Sequence, residues 1–419
     1  FLEHMHFKDA AAKETGKSST GKMAQAVESL GGDINAYTSF DQTVYHVTCA
    51  AHHWERVIDV FGGMAKPQRF LKSDFDRERE VIIEELKKNE DSPGRQLFQT
   101  LFAATFKKHP YGRPVIGFEK LLKGAKLSSL EAFYKRNYVS SKMGVILVGP
   151  VGNGDSPRRA RILKSIEKYF GSKVIKSTKA KKEKVIRRYS EPALRNQPDF
   201  VVRPFDVKMP SVSFSFRVPE LMHPDIPALD VLSGVLGMGE LSRLYQRLFY
   251  QKSLVSEISA GLYVPKDPGM FYVQAEPGKK ENLLEVCKEI LFELKRIQDE
   301  GPTQEELARV IVSAESERLY VTQTADGVAG RVGFLKFVLG DLRFDEGYLD
   351  DLRLVDANRV REVAREYLDF RRMAGAILVP KDFKDVQAEQ ISDLAKKILK
   401  PSAPVGEVLS GAATRGKKK

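Results

Sequence analysis

The sequence predicts an α+β fold of two homologous domains, in each of which helices cover one face of an antiparallel-rich sheet. Three observations lead to this prediction. The chain has 419 residues, more than a single hydrophobic core usually organises. Its predicted elements run twice in the same order: a helix, two strands, two helices, then a late helix and a strand. The stretches MGVILVG and AGAILVP occupy corresponding places near the ends of the two halves.

The first half begins with a helical segment that closes at Glu28 to Leu30. Two strands are predicted within GGDINAYTSFDQTVYHVTC, joined across residues 39–42. WERVIDVFGGMA predicts an amphipathic helix, and a longer helix is predicted from Ser73 to about Glu90. HPYGRPVIG indicates a turn-rich loop, SLEAFYKRNY a helix and KMGVILVGPV a buried strand, and Phe170 ends the half.

The lysine-rich residues 172–196 include Pro192 and show little apolar periodicity, which is typical of a linker. Domains are therefore predicted at 1–171 and 197–400, followed by a flexible basic tail at 401–419. In the second half the predicted strands are VSFSFRVP, SEISAGLYV, GMFYVQAEP and MAGAILVP. The predicted helices are ALDVLSGVLGMGELSRLYQRLF with its Gly-rich turn, ENLLEVCKEILFELKRIQDEG, TQEELARVIVSAESERLY and VREVAREYL.

The composition excludes several classes of protein. The net charge of +12 lies largely in residues 173–188 and the terminal RGKKK, which lack interleaved aromatics, so nucleic acid is not predicted as a partner. No apolar run approaches the roughly 20 residues that span a bilayer, so no integral membrane segment is predicted. Two distant cysteines, Cys49 and Cys287, exclude a disulfide framework and leave the compartment open. A soluble protein of the bacterial cytoplasm or periplasm is favoured over one of the mitochondrial matrix.

The chain opens with FLEHMHFKDA, in which Phe-Leu-Glu-His supplies all but the first residue of His-x-x-Glu-His. Two histidines four residues apart project from one face of a helix and can share one metal ion. The glutamate beside the second histidine can take a proton from a bound water. We therefore expect the motif's first histidine just before Phe1, with the motif truncated in this chain. His6 is predicted to be an ordinary surface or packing residue.

A third metal ligand would have to come from elsewhere, and SDFDREREVIIEELKKNE offers one. Val81, Ile82 and Glu85 are predicted to share a helix face, so Glu85 projects from a partly apolar surface. A buried carboxylate needs a partner. That partner is a metal, or else Glu85 forms a salt bridge with an arginine or is a satisfied helix-end carboxylate.

Three motifs resemble, in this order and at about this spacing, the pitrilysin/insulinase family of zinc peptidases: FLEHMHFKDA, GGDINAYTSFDQTVYHVT and DREREVIIEELKKNEDSPG. The nearest resemblance is to the mitochondrial-processing-peptidase branch and its bacterial relatives. It implies a processing-peptidase-like metallohydrolase fold with zinc as cofactor. It also implies that His4 and Glu85 are zinc ligands, Glu3 the general base and Glu78 a carboxylate that orients the ligands.

The resemblance also concerns the substrate. It implies that Asn35, Ala36, Tyr37 and Thr38 form an exposed edge strand, to which a peptide substrate adds through main-chain hydrogen bonds. A plain hairpin strand is the alternative interpretation.

Family members that act alone carry an arginine and, seven residues later, a tyrosine in the second half, and both contact substrate. An ungapped alignment places Phe249 and Ser256 at these positions, and neither can donate as those residues do. The resemblance then implies a partner: a homologous subunit bearing the Arg/Tyr pair, or a homodimer. We predict a zinc endopeptidase subunit that hydrolyses extended peptides in an enclosed chamber, with its water activated by Glu3. The alternative is a non-catalytic, core-protein-like subunit of the same fold.

Overall fold

The computed structural model of the chain describes residues 1–6, 22–65, 70–171 and 198–398, so the predicted linker (172–196) and tail (401–419) lie outside it. The first half contains α1 (Leu2–His6), α2 (Lys22–Glu28), β1 (Asp33–Thr38), β2 (Thr43–Thr48), α3 (Trp54–Ala65), α4 (Lys72–Glu90), α5 (Pro93–Thr105), α6 (Glu119–Lys123), α7 (Leu127–Asn137) and α8 (Pro157–Phe170). The second half contains β3 (Asp199–Phe205), β4 (Ser211–Val218), α9 (Ile226–Gly237), β5 (Val255–Tyr263), β6 (Gly269–Pro277), α10 (Leu283–Glu300), α11 (Gln304–Thr322), α12 (Ala325–Gly333), α13 (Phe344–Arg353), α14 (Ala357–Tyr367), β7 (Ala374–Pro380) and α15 (Ala388–Ile398). Two π-helical segments occur at Tyr245–Gln251 and Phe334–Leu339.

The predicted α+β fold is confirmed, with two sheets in the described residues. The second half has a five-stranded sheet in the order β3-β7-β4-β6-β5, in which only the β3–β7 pair is parallel. In the first half the described strands form one antiparallel hairpin, β1–β2, which pairs Asn35 with His46. None of the described helices is both long and apolar enough to cross a membrane.

One predicted strand is wrong. Within the described residues KMGVILVGPV pairs with no other strand, and every residue of it is half-buried or exposed. Its counterpart β7 lies between β3 and β4 and is buried along its whole length. The segment instead packs against the second half, where a Cβ on Gly144 would overlap the ring of Phe337. Met143 of the same segment packs against Ala65 and Val139 of the first half, so its apolar residues have contacts in both halves without a place inside a sheet of the described residues.

Helix α5 belongs to the first half but covers one face of the second half's sheet. Along β4 the apolar side chains of Val212, Phe214 and Phe216 join the main core, so the alternating serines point to the opposite face. There the hydroxyl of Ser215 lies 2.6 Å from that of Thr105 at the end of α5. The apolar residues of this layer come from both halves: Leu97, Leu101, Phe102, Phe106, Tyr111, Met270, Ala376 and Leu378. The second half's sheet is thus covered on one face by its own helices and on the other by α5.

Because Leu101 is fully buried in this layer, Leu101→Ala should remove a contact that holds the halves together. We expect the free energy of unfolding to fall by about 2–5 kcal/mol, the range for a buried leucine that leaves a cavity. Urea denaturation followed by circular dichroism measures it. Leu163→Ala on α8, where the side chain is exposed, is the matched control and should change stability by less than about 0.5 kcal/mol. Equal losses in both variants would contradict the packing described for α5.

Candidate active site

Helix α1 places Glu3 and His4 on its solvent-accessible face. Its other face carries Leu2 and Met5, which are buried among apolar residues of α4, α7 and the segment before α4: Phe70, Phe75 and Tyr134. Since helical residues repeat every 3.6 positions, burial of Leu2 and Met5 turns Glu3 and His4 away from that cluster. Both are half-buried and remain accessible.

Helix α4 brings two carboxylates to His4. Glu78 and Glu85 are seven residues, or two turns, apart and therefore lie on one face. The Nδ1 atom of His4 is 3.2 Å from Glu78 Oε2, and its Nε2 atom is 3.5 Å from Glu85 Oε2. Glu78 is buried, whereas the Glu85 side chain is 48% exposed. The imidazole thus bridges the two glutamates of α4.

The surroundings of Glu85 differ from the sequence prediction. Val81, expected to share a partly apolar face with it, is itself exposed, and only Ile82 turns into the core. Glu85 therefore needs no buried partner, because solvent reaches its carboxylate. Its approach to His4 is the contact that sets it apart from the exposed Glu84, which pairs with Lys87.

The spacing of His4 and Glu85 fits a zinc ion. Two ligands of a tetrahedral site, with bonds of about 2.0–2.1 Å, stand roughly 3.4 Å apart, and the 3.5 Å between Nε2 and Oε2 agrees with that value. The contact of Glu78 with Nδ1 is the arrangement that orients a metal-bound histidine. Across the described ranges, however, no group of three or more His, Cys, Asp or Glu residues is placed to hold a metal ion. A catalytic zinc needs three protein ligands, so the assignment of His4 and Glu85 stays a prediction.

Glu3 is joined to the hairpin. The hydroxyl of Thr38, the last residue of β1, donates a hydrogen bond to Glu3 Oε2. The sequence analysis did not foresee this contact, because nothing in the pattern of β1 shows which end meets α1. This hydrogen bond connects the end of β1 directly to Glu3.

Aromatic side chains pack around His6 on the buried face of α1. His6 is buried, stacks on Tyr138 with ring centroids 4.7 Å apart, and has its Nδ1 atom 2.9 Å from the Tyr45 hydroxyl. Burial raises the pKa of the Tyr45 and Tyr138 hydroxyls, so both stay protonated at neutral pH. His6 is therefore a packing residue, one of the two ordinary interpretations predicted for it.

The predicted substrate-binding residues lie on β1. Among the described strands β1 pairs only with β2. Asn35 and Tyr37 are exposed on one face, and the Asn35 Oδ1 atom accepts a hydrogen bond from the N–H of Ala36 at 2.8 Å. The use of the other edge of β1 by a peptide remains a prediction.

Comparisons with known proteins decide the family. Residues 1–119 match the family model described as Insulinase (Peptidase family M16), and residues 125–312 match the model described as Peptidase M16 inactive domain.

The chain belongs to peptidase family M16.

The resemblance proposed from the sequence motifs is thereby confirmed. This M16 chain is 25% identical to an uncharacterized zinc protease of Mycobacterium leprae, over 93% of this chain and 84% of that protein. It is 24% identical to a probable mitochondrial-processing peptidase subunit beta of Arabidopsis thaliana, over 91% of this chain and 70% of that protein. The crystal structure of a protease from Helicobacter pylori superposes with a TM-score of 0.80 at 26% identity, covering 90% of this chain and 88% of that one.

In the second half of this M16 chain, Phe249 and Ser256 take up contacts with neighbouring residues. Phe249 stacks on Tyr245 with ring centroids 4.6 Å apart, and the hydroxyl of Ser256 donates to the carbonyl oxygen of Glu276 at 3.3 Å. The nearby polar groups are also engaged: Arg247 donates to Glu289, and the Tyr250 hydroxyl donates to Glu240.

Proposed function

We propose that this M16 chain is the zinc-bearing subunit of an endopeptidase that hydrolyses extended peptides in an enclosed chamber. The observation that carries the proposal is the position of His4 between Glu78 and Glu85, with Glu3 beside it. The names of similar proteins, which include zinc proteases, support the reaction class. Zinc held by His4 and Glu85 would supply Lewis acidity, which polarises a scissile carbonyl and lowers the pKa of a water.

The residues of the chain account for the proton and for the position of the peptide. Glu3 would accept a proton from the attacking water and return it to the leaving nitrogen, so that no net proton is consumed. The Thr38 hydroxyl bonds to Oε2 and leaves the other carboxylate oxygen for the proton. A peptide that pairs with the outer edge of β1 would pass, at the Thr38 end of the strand, close to the other carboxylate oxygen of Glu3.

A partner subunit is part of the proposal. Phe249 cannot donate a hydrogen bond, and the short side chain of Ser256 is bound to its neighbour Glu276. A tetrahedral intermediate needs donors at its developing oxyanion. We therefore propose that a homologous subunit supplies an arginine and a tyrosine across the chamber.

A non-catalytic, core-protein-like subunit is the second candidate. It is favoured by one observation: residues 125–312 match the model described as Peptidase M16 inactive domain. The two candidates differ in whether the site takes up zinc once a third ligand is present.

Zinc content distinguishes them. Residues 1–419 should bind zinc weakly, whereas a form extended upstream so that histidine precedes Phe1 should hold about one zinc per chain. In the extended form, His4→Ala and Glu85→Gln should each abolish this content, and Glu78→Gln should weaken zinc affinity by about 10–100-fold. His52→Ala, at an exposed histidine, is the control. Metal analysis after dialysis measures each protein, and an extended form without zinc would exclude the ligand assignment.

A further inference from the structure

The turn that joins β1 to β2 reaches the second half. Phe40 in this turn lies 4.7 Å from the ring of Tyr111, 5.5 Å from that of Phe102 on α5 and 6.4 Å from that of Tyr263 on β5, all between centroids. Tyr111 and Phe102 are buried. The turn end of the hairpin therefore contacts Glu3 through Thr38, and the turn itself is anchored where the two halves meet.

Beside Phe40, Asp41 ties three segments together. Its carboxylate accepts hydrogen bonds from the Tyr111 hydroxyl, at 3.3 Å to each oxygen, and from the backbone N–H of Lys266 at 3.1 Å. The Tyr111 oxygen in turn accepts from the backbone N–H of Asp267 at 3.1 Å. Lys266 and Asp267 lie between β5 and β6, so the network joins the hairpin to the turn of another hairpin, in the other half.

His109 holds Tyr111 in this network. Its Nδ1 atom accepts from the Tyr111 N–H at 3.2 Å, so the ring proton of the neutral imidazole lies on Nε2. Nε2 is 3.2 Å from Asp267 Oδ2 and donates to it. A tyrosine hydroxyl is protonated at neutral pH, and burial raises the pKa of Tyr111 further, so this hydroxyl donates to Asp41.

The hairpin needs such support. An isolated two-stranded hairpin is marginally stable in water, and in the described residues β1 has no sheet partner besides β2. A misplacement of about 1 Å can cost 10²-fold in rate when reacting groups must be aligned. Thr38 is three residues from Asp41, so movement of the turn is transmitted to the residue that touches Glu3.

We infer that Asp41 and Tyr111 are positioning residues, through which the second half fixes the peptide-binding edge β1 against Glu3 and His4. The expected effect on peptide cleavage rests on the proposed function, whereas the anchoring of β1 does not. The half without zinc ligands thus takes part in catalysis by holding the substrate strand in place.

Hydrogen exchange of the full chain tests the structural part without any activity. Asp41→Asn and Tyr111→Phe keep side-chain size, and each should speed amide exchange in residues 33–48 by about tenfold, while exchange in α9 and β4 stays unchanged. Ser215→Ala removes a hydroxyl contact at the same interface, away from the turn, and should leave residues 33–48 unaffected. Unchanged exchange in the hairpin, or an equal rise throughout the molecule, would overturn the inference.

Peptide cleavage by the zinc-loaded, extended form tests the catalytic part. Both variants should lower kcat/KM for an extended peptide by about tenfold with zinc content unchanged, and Ser215→Ala should not. Faster exchange together with unchanged kcat/KM would overturn the positioning role. If the unsubstituted protein cleaves nothing with or without a partner subunit while the exchange results hold, the proposed function fails and the anchoring of β1 by the second half stands.

Discussion

Replacement of Glu3 by glutamine should reduce peptide hydrolysis by about 10² to 10⁴-fold while zinc remains bound, in the form of the chain that carries the full His-x-x-Glu-His motif. The amide has nearly the shape of the carboxylate and can still accept a hydrogen bond from Thr38. It cannot accept a proton from water at neutral pH, so the step assigned to Glu3 is lost. Cleavage of a quenched-fluorescent, unstructured peptide measures the rate, and metal analysis confirms the zinc.

Glu84→Gln is the matched control for this experiment. Glu84 lies on α4 next to Glu85, but its side chain is exposed and pairs with Lys87. Because exposed ion pairs contribute little, we expect both stability and cleavage to stay within error. Undiminished cleavage by Glu3→Gln would remove Glu3 from the mechanism, and equal losses in the two variants would point to a general effect of lost charge.

The second large effect concerns the partner. The zinc-loaded subunit alone should be nearly inactive, because we propose that Phe249 and Ser256 occupy the positions of the two polar donors that the resemblance implies for other family members. Loss of one such donor in other hydrolases costs about 10² to 10³-fold in turnover. Addition of a homologous subunit with arginine and tyrosine at these positions should therefore raise cleavage by at least that factor. Titration of one purified subunit with the other, followed by peptide fluorescence, measures the increase and its stoichiometry.

Two controls make the partner experiment specific. Substitution of the added subunit's arginine by alanine should remove most of the increase while sizing still shows the complex. Dilution of this chain alone tests the homodimer, because its activity per subunit would then fall with concentration. Full activity of the chain at concentrations where sizing shows a monomer would rule out any requirement for a partner.

Local patterns account for much of the fold. The alternation in VSFSFRVP predicts β4, and the structure shows why both of its faces are buried: Phe214 meets the main core and Ser215 meets α5. The same reasoning fails for KMGVILVGPV, because a short apolar run does not by itself show that the segment pairs with other strands in a sheet. The contact of Gly144 with Phe337, nearly 200 positions away, has no local trace in the sequence.

The candidate site, too, could be predicted from the sequence only in part. Helical spacing places Glu78 and Glu85 on one face of α4, and the family motifs bring His4 to them. The contact of Thr38 with Glu3 and the contacts of Asp41 were not predicted, because each depends on where the hairpin meets another element. Asp41 in particular has the composition of an ordinary turn residue, and only its bonds to Tyr111 and Lys266 set it apart.

The covering of the second sheet by α5 has a consequence for biosynthesis. Helix α5 ends at Thr105 and its neighbour β7 begins at Ala374, so a ribosome must add the intervening residues before the contact can form. At about 5–20 residues per second this takes roughly 15 to 55 s. During that interval the sheet that covers Leu97, Leu101 and Phe102 lacks β7, and the nascent chain presents part of an apolar helix face that chaperones recognise and that promotes aggregation. A fragment that ends near Gly171 would keep that face uncovered permanently.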